Sequence, residues 1–245
     1  MKIFNSLDDI PDNHRPSSIT IGNFDGLHIG HIELLKNTIA LAKANNTVPV
    51  VLSFDPMPEE YFRNEYFFRL MSNTEKSGFI EDYGIEEIIL IPFNEKFSKM
   101  DKNKFIDEVL IKKLNAKHVV VGNDFRFGHK RIGDVKLLKS YGHDRGIEVT
   151  IVSLIEILGK KISSTNIREL LILGKISEAN SILGKPFSIQ GKIIHGEKVG
   201  RELGYPTANI EIYKSYPING IFLVEVLREN SDKLYGLASI GNKPT

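Results

Sequence analysis

Short β-branched runs alternate with longer stretches whose apolar residues recur every three to four positions. Ile19-Thr20-Ile21 reads as a buried strand. From Gly30 a helical period follows through Ile32, Leu34, Leu35, Ile39, Leu41 and Ala42, and Ala44-Asn45-Asn46 ends it. Pro49–Phe54 (PVVLSF) reads as a second strand, Glu87–Phe93 as a third, His118–Gly122 as a fourth and Glu148–Val152 as a fifth. Helices are predicted over Thr74–Asp82, Asp101–Leu114 and Val135–Arg145, the second with Phe105, Ile106, Val109, Leu110 and Leu114 inward. The aromatic, irregular stretch Tyr61–Leu70 reads as a flap. Strands and helices alternating at this spacing indicate βαβ units and a mostly parallel sheet. Such sheets hold ligands at the carboxyl ends of their strands.

The pattern changes late in the chain. A helical stretch opens at Ser164 or Thr165, and Ser177–Leu183 forms a shorter one ended by Gly184-Lys185-Pro186. Beyond it Phe187–Ile194 alternates, and Ile218–Leu227 and Leu234–Ile240 are strand-like with no helix between them. This predicts a boundary that leaves 1–184 as an α/β domain and 185–245 as a small β-barrel or β-sheet domain.

Composition narrows the function classes. The 245 residues carry 32 basic and 31 acidic side chains, a net charge of +1, so no global field draws the chain to nucleic acid or a membrane. There is no cysteine, which excludes disulfides, thiolate catalysis and Cys-based zinc sites. That suits a reducing cytoplasm. Met1–Phe4 leads into polar residues, so no signal-peptide core is expected, and no apolar run is long enough to span a bilayer. The expected partners are small molecules.

Candidate chemistry begins at the first strand–helix junction, ITIGNFDGLHIGHIELL. Gly22 and Gly26 allow a tight turn and close approach to a ligand. His28 and His31 straddle the helix start three residues apart, on one face. A helix start offers unpaired N–H groups to anions, and two imidazoles add donors for phosphate. No lysine-bearing P-loop occurs anywhere in the chain. Turn chemistry alone also accommodates a surface turn with two incidental histidines. Further on, Asp124, Arg126 and Arg131 gather among glycines and Phe125 and Phe127, either as a binding loop or as a strand-end turn with a local ion pair. Ser163-Ser164-Thr165 with Arg168 forms either an ordinary helix cap or a second anion site. Three glycines at four-residue spacing, Gly196, Gly200 and Gly204, mark a turn-rich loop.

H-x-G-H after a strand, preceded by G-x-F-D-G, resembles the signature of HUP-type (Rossmann-like) nucleotidyltransferases, and within them the bacterial bifunctional riboflavin kinase/FMN adenylyltransferases. Gly122–Asp134 resembles that family's V-G-x-D-F-R-F-G-x-x-R-x-G-D, and Ile162–Arg168 its I-S-S-[ST]-x-I-R. Gly196–Asn209 resembles the riboflavin-kinase string G-x-x-x-G-R-x-L-G-[FY]-P-T-A-N. The resemblance implies adenylyl transfer from ATP to FMN in the first domain and phosphorylation of riboflavin in the second, with Mg²⁺. It assigns His28 and His31 to the ATP phosphates, and Ser164, Thr165 and Arg168 to the β- and γ-phosphates and the leaving pyrophosphate. Gly22, Asn23, Phe24, Asp25 and Gly30 line the nucleotide pocket, and Asp124, Phe125, Arg126 and Arg131 face the flavin. In the kinase module Gly196, Gly200, Arg201, Gly204 and Pro206 surround ATP and flavin, and Thr207 and Asn209 supply oxygens to Mg²⁺.

Two departures stand out. Met57 occupies a position that is His in many family members, and Met cannot donate to phosphate. The final Gly241–Thr245 matches I-G-x-[RK]-P-T, which in the family continues through more strands, a glutamate base and a long helix. The resemblance therefore implies a truncated kinase module with impaired kinase activity. Two other readings are an H-x-G-H adenylyltransferase for a nicotinate or pantetheine phosphate, and a flavin-binding protein that has lost turnover. Lone His14, His118 and His143 read as surface or packing residues.

Overall fold

The structure is a computed structural model, and it describes residues 1–62, 67–153, 156–157, 160–195, 207–212, 216–228 and 233–241. The chain divides into two compact units, Met1–Ser164 and Thr165–Thr245.

In the first unit, β1 (Lys2–Phe4), β2 (Ser17–Ile21), α1 (Ile29–Asn45), β3 (Val48–Phe54), α2 (Pro58–Phe62), α3 (Asn73–Asp82), β4 (Glu87–Ile91) and α4 (Glu95–Ser98) follow one another. Next come α5 (Lys102–Lys104), which runs into a π-helical segment Phe105–Lys113, then β5 (Ala116–Gly122) and β6 (Arg126–Phe127). A 3₁₀ turn (His129–Arg131), β7 (Gly133–Asp134), α6 (Val135–His143), β8 (Glu148–Val152), β9 (Glu156–Ile157) and β10 (Lys160–Lys161) complete the unit. Six strands form one parallel sheet in the order β1-β4-β3-β2-β5-β8.

Strands buried on both faces favour apolar residues at consecutive positions, and β3, β4 and β5 have them, whereas β2 is equally buried but sets Ser18 and Thr20 beside its apolar residues. Alternate side chains feed two cores. Ile19, Ile21, Val50, Leu52, Ile89, Val119 and Val121 pack with Phe105, Ile106, Val109, Leu110 and Leu138. Val51, Ile88, Leu90 and Val120 pack on the other face with Leu34 and Leu35 of α1 and Ile80 of α3. The chain steps from β2 outward to β3 and β4, then returns to the other side of β2 with β5. That reversal is the topological switch point, where an open parallel sheet leaves a crevice at its carboxyl edge. The loops that follow β2 and β5 flank it.

Two expectations are adjusted, and one strand is unanticipated. β4 stops at Ile91, because Pro92 has no N–H for the ladder. The long helix expected over Asp101–Leu114 is mostly π-helical, with Asp101 capping its start through Asn103 and Lys104 N–H. β1, only three residues long, has no visible pattern in the sequence.

In the second unit, α7 (Ser164–Ile172, its first residue closing the first unit) is followed by α8 (Ile176–Leu183), β11 (Gly191–Ile194), β12 (Asn209–Ile212), β13 (Gly220–Leu227) and β14 (Lys233–Ile240). β11 pairs antiparallel with β12, and β13 with β14. The strand expected from Phe187 begins only at Gly191, since the Phe187 N–H donates to Asn180 Oδ1 at 2.7 Å and is held at the end of α8.

Candidate active site

The loop after β2 is shaped before any ligand arrives. Phe24 (φ 52°) and Leu27 (φ 45°) lie in the left-handed region, which costs bulky residues roughly 1–2 kcal/mol each. Both side chains are fully buried in the core beneath α1, and that burial offsets the strain. Gly22 makes room for the Phe24 ring, which would lie 3.2 Å from a Cβ there.

Ties from distant segments fix the loop. The Asp25 carboxylate accepts from the Leu70 N–H at 3.0 Å and the Met71 N–H at 3.3 Å. The Asp25 carbonyl accepts from Ser164 Oγ at 2.8 Å. The Asn23 carbonyl accepts from Ser53 Oγ at 3.2 Å and Lys76 Nζ at 3.3 Å, and the Asn23 amide donates to Glu59 at 2.6 Å. Asp25 is thus buried with its carboxylate turned to backbone amides.

His28 is itself the N-cap of α1, in place of the usual Ser, Thr, Asp or Asn. Its Nδ1 accepts from the His31 N–H at 3.2 Å. An accepting Nδ1 carries no proton, so neutral His28 holds its proton on Nε2. The two rings stack, with centroids 3.5 Å apart and planes 13° apart, and Phe24 lies 5.0 Å from His31. Gly30 permits the stack, because a Cβ there would press on the His28 ring at 3.3 Å. The first turn of α1 has no acidic residue, so its positive end stays available to an anion. Among the described residues, Nδ1 of His31 is buried with no partner.

Burial holds both imidazoles neutral. It lowers His28 to about 4, against a smaller upward pull from its backbone contact and from the nearby Asp124 charge. Burial, with the charges of His28 and Lys76, puts His31 well below the usual imidazole range. On acidification the unfolded chain takes up a proton near 6.5, whereas folded His28 resists until about 4. Stability is therefore lost as pH falls through that window, by on the order of 3 kcal/mol from His28. His28→Asn can still cap but cannot titrate, so a melting-temperature series from pH 7 to pH 4 should show a flatter acid slope for it.

The loop after β5 brings Asp124 to His28, close enough for their charges to interact. Phe125 stacks on Phe127 at 5.6 Å against the core. Arg126 pairs with Asp134 at 3.5 Å across the β6–β7 ladder, and Arg131 is exposed. Gly128 (φ 74°) is obligatory, because any Cβ would sit 2.8 Å from Lys102 Cα. Thr165 is exposed and Arg168 half-buried; Arg168 shares a face of α7 with Ser164, four residues before it. Met57 is buried as a packing residue.

Several residues near the site were not anticipated from sequence. Arg69 is buried and bridges Asp55 and Glu60, donating to both. Asp55 feels burial upward, and Arg69 more than offsets this by hydrogen bond and charge, so its carboxyl lies below the usual range. Lys76 on α3 is 2% exposed and donates to Ser53 as well as Asn23. Its position four residues before the buried Ile80 was the available sign, since that helical face calls for an apolar residue. An aromatic group joins Phe54, Tyr61, Phe62 and Phe97 around Phe93, with Phe62 largely exposed.

Of the residues assigned to the kinase module, Gly196, Gly200, Arg201, Gly204 and Pro206 lie outside the described residues. Thr207 and Asn209 are exposed, and Asn209 opens β12. Among the described residues no group of three or more His, Asp or Glu could hold a metal ion, and no helix is long and apolar enough to cross a membrane.

The family model for FAD synthetase matches residues 10–166, and that for riboflavin kinase matches residues 183–245. A bifunctional riboflavin kinase/FMN adenylyltransferase of Buchnera aphidicola subsp. Schizaphis graminum is 42% identical over 248 residues, covering 100% of this chain and 80% of the relative. The Escherichia coli K12 protein of the same name is 37% identical over 229 residues, covering 93% and 73%. A crystal structure described as a macrolide-efflux protein from Streptococcus pneumoniae superposes with a TM-score of 0.87 at 31% identity, covering 99% of this chain and 79% of that one. A model match over most of the first unit and relatives matched along almost the whole chain carry one conclusion: the chain belongs to the FAD synthetase family, in its form joined to riboflavin kinase.

Proposed function

We propose that the first unit transfers AMP from ATP to FMN, giving FAD and pyrophosphate, and that the riboflavin-kinase module phosphorylates riboflavin to FMN. The observation that carries the first activity is the stacked, neutral His28–His31 pair at the open end of α1, beside the switch point. An FMN phosphate is already an anion, so attack on the α-phosphorus needs no general base. What the reaction needs is alignment and relief of charge on the phosphoryl oxygens. His28 offers its Nε2–H, His31 offers an unpartnered ring nitrogen, and the α1 N-terminus adds backbone N–H groups. Ser164 braces the loop through Asp25. The motif alone assigns Thr165 and Arg168 to phosphate.

On the flavin side, Asp124, Phe125, Arg126 and Arg131 are the motif's residues, and Tyr61 and Phe62, packed on the half-buried Phe93, add exposed rings on which an isoalloxazine can stack. Thr207 and Asn209 are exposed hard-oxygen donors, which fits Mg²⁺ in the kinase module. When bound, that ion supplies charge neutralisation at the phosphates. The kinase module is taken to begin at 185, as the family match from residue 183 supports. A cysteine-free chain acting on these small molecules fits the cytoplasm.

Incubation of the purified chain with ATP, Mg²⁺ and FMN should release pyrophosphate and yield the mass of FAD. Product formed only from a nicotinate or pantetheine phosphate, or flavin binding without turnover, would overturn the assignment.

A further inference from the structure

Lys76 is buried in a way that a purely structural role does not explain. Its side chain is 2% exposed, yet among the described residues no carboxylate oxygen comes within ion-pairing distance of Nζ. The ammonium donates to the Asn23 carbonyl at 3.3 Å and Ser53 Oγ at 3.1 Å. An ammonium has three donors, so one remains. Burying a charge without a contacting carboxylate costs several kcal/mol even when it is hydrogen-bonded, and a methionine would fill the same space without that cost.

The surroundings say what the charge is for. Asn23 belongs to the loop that leads into His28, and Ser53 lies near the carboxyl end of β3, next to β2 in the sheet. The ammonium is close enough to His31 to oppose that ring's protonation. Facing it are Asp25, Asp55, Glu60 and Arg69. Asp25 is committed to the amides of Leu70 and Met71, and Asp55 and Glu60 to Arg69. None of these neutralises Lys76 at contact.

We propose that the Lys76 ammonium is a phosphate-binding group of the adenylyl-transfer site, held by Asn23 and Ser53 so that its remaining donor meets an oxygen of the phosphoryl group in transfer. The proposal rests on the adenylyl-transfer reading above. Charge on that group grows as the FMN phosphate approaches the α-phosphorus, so the interaction is stronger in the transition state and acts on kcat. Burial lowers Lys76 to about 8, with Asp25 pulling back upward, so the ammonium loses its proton just above neutral pH.

The test is kinetic. FAD formation by the unchanged chain at pH 7 establishes the activity itself, and its absence would take down the activity and this proposal together. Given FAD formation, kcat/KM, which reports the free enzyme, should decline above about pH 8, approaching tenfold per pH unit, as the ammonium deprotonates. A profile flat to pH 10 overturns the proposal whatever any variant does. Lys76→Met should lower kcat about a hundredfold, with little change in KM for ATP or FMN and a melting temperature equal to or above that of the parent. An unaffected kcat, or a loss seen only in KM, overturns it. If Lys76→Met fails to fold, the pH profile of the unchanged chain decides.

Discussion

Replacement of His28 or His31 by Ala should lower kcat for FAD formation by about a hundredfold or more, the usual cost of one donor aimed at developing phosphoryl charge. The two losses should differ in their side effects. His28 also caps α1, so His28→Ala should cost about 1 kcal/mol of stability, read as a small fall in melting temperature. His31 accepts no helix hydrogen bond, but it carries one face of the stack, and its loss leaves His28 without a wall. The double variant should lose less than the product of the single losses, because the rings position each other. Because both rings are neutral in the folded chain, adenylyl transfer should not depend on imidazolium charge, and activity should hold between pH 6 and pH 8. Unchanged turnover in both alanine variants would remove the pair from the chemistry.

The second large effect is on the scaffold. Asp25→Ala removes the acceptor for the buried Leu70 and Met71 N–H groups and leaves both unsatisfied. At roughly 1–3 kcal/mol per orphaned group, the first unit should lose about 3 kcal/mol, a fall in melting temperature of roughly 6–12 °C. Asp25→Asn keeps one carbonyl oxygen for the amides and should recover about half of that loss. A thermal melt of the two variants beside the parent checks the order. Equal melting temperatures for all three would mean that the carboxylate does not anchor the segment. Activity should fall with stability in Asp25→Ala, since Leu70 and Met71 no longer hold the loop that leads to His28.

The sheet was largely legible, because strands covered on both faces favour unbroken apolar runs. β3, β5 and β8 differ from their predicted spans by two residues at most. The π-helical segment was not legible, since Phe105, Ile106, Val109, Leu110 and Leu114 suit a wide helix and a regular one equally. Motif spacing pointed to His28, His31 and the Ser164 helix start. It was silent on His28 as a cap, because that requires an imidazole nitrogen to replace an oxygen. Lys76, Arg69 and Glu60 were missed for a different reason. Each is a charged residue that sequence assigns to the surface by default, and only the fold shows that two of them are buried. Asp25 was placed in the pocket lining by its motif, and the structure turns its carboxylate toward backbone amides instead.

The loop between β2 and α1 is fastened by residues 53, 59, 70, 71, 76 and 164, drawn from across the whole first unit. Almost none of its shape comes from its immediate neighbours in sequence. Such long-range closures are entropically expensive and come late on the route from the unfolded chain. A nascent chain released before residue 164 emerges would hold the histidines but lack one of the fasteners that aim them. The shape of that loop is thereby completed only when the helix start at residue 164 has been synthesised.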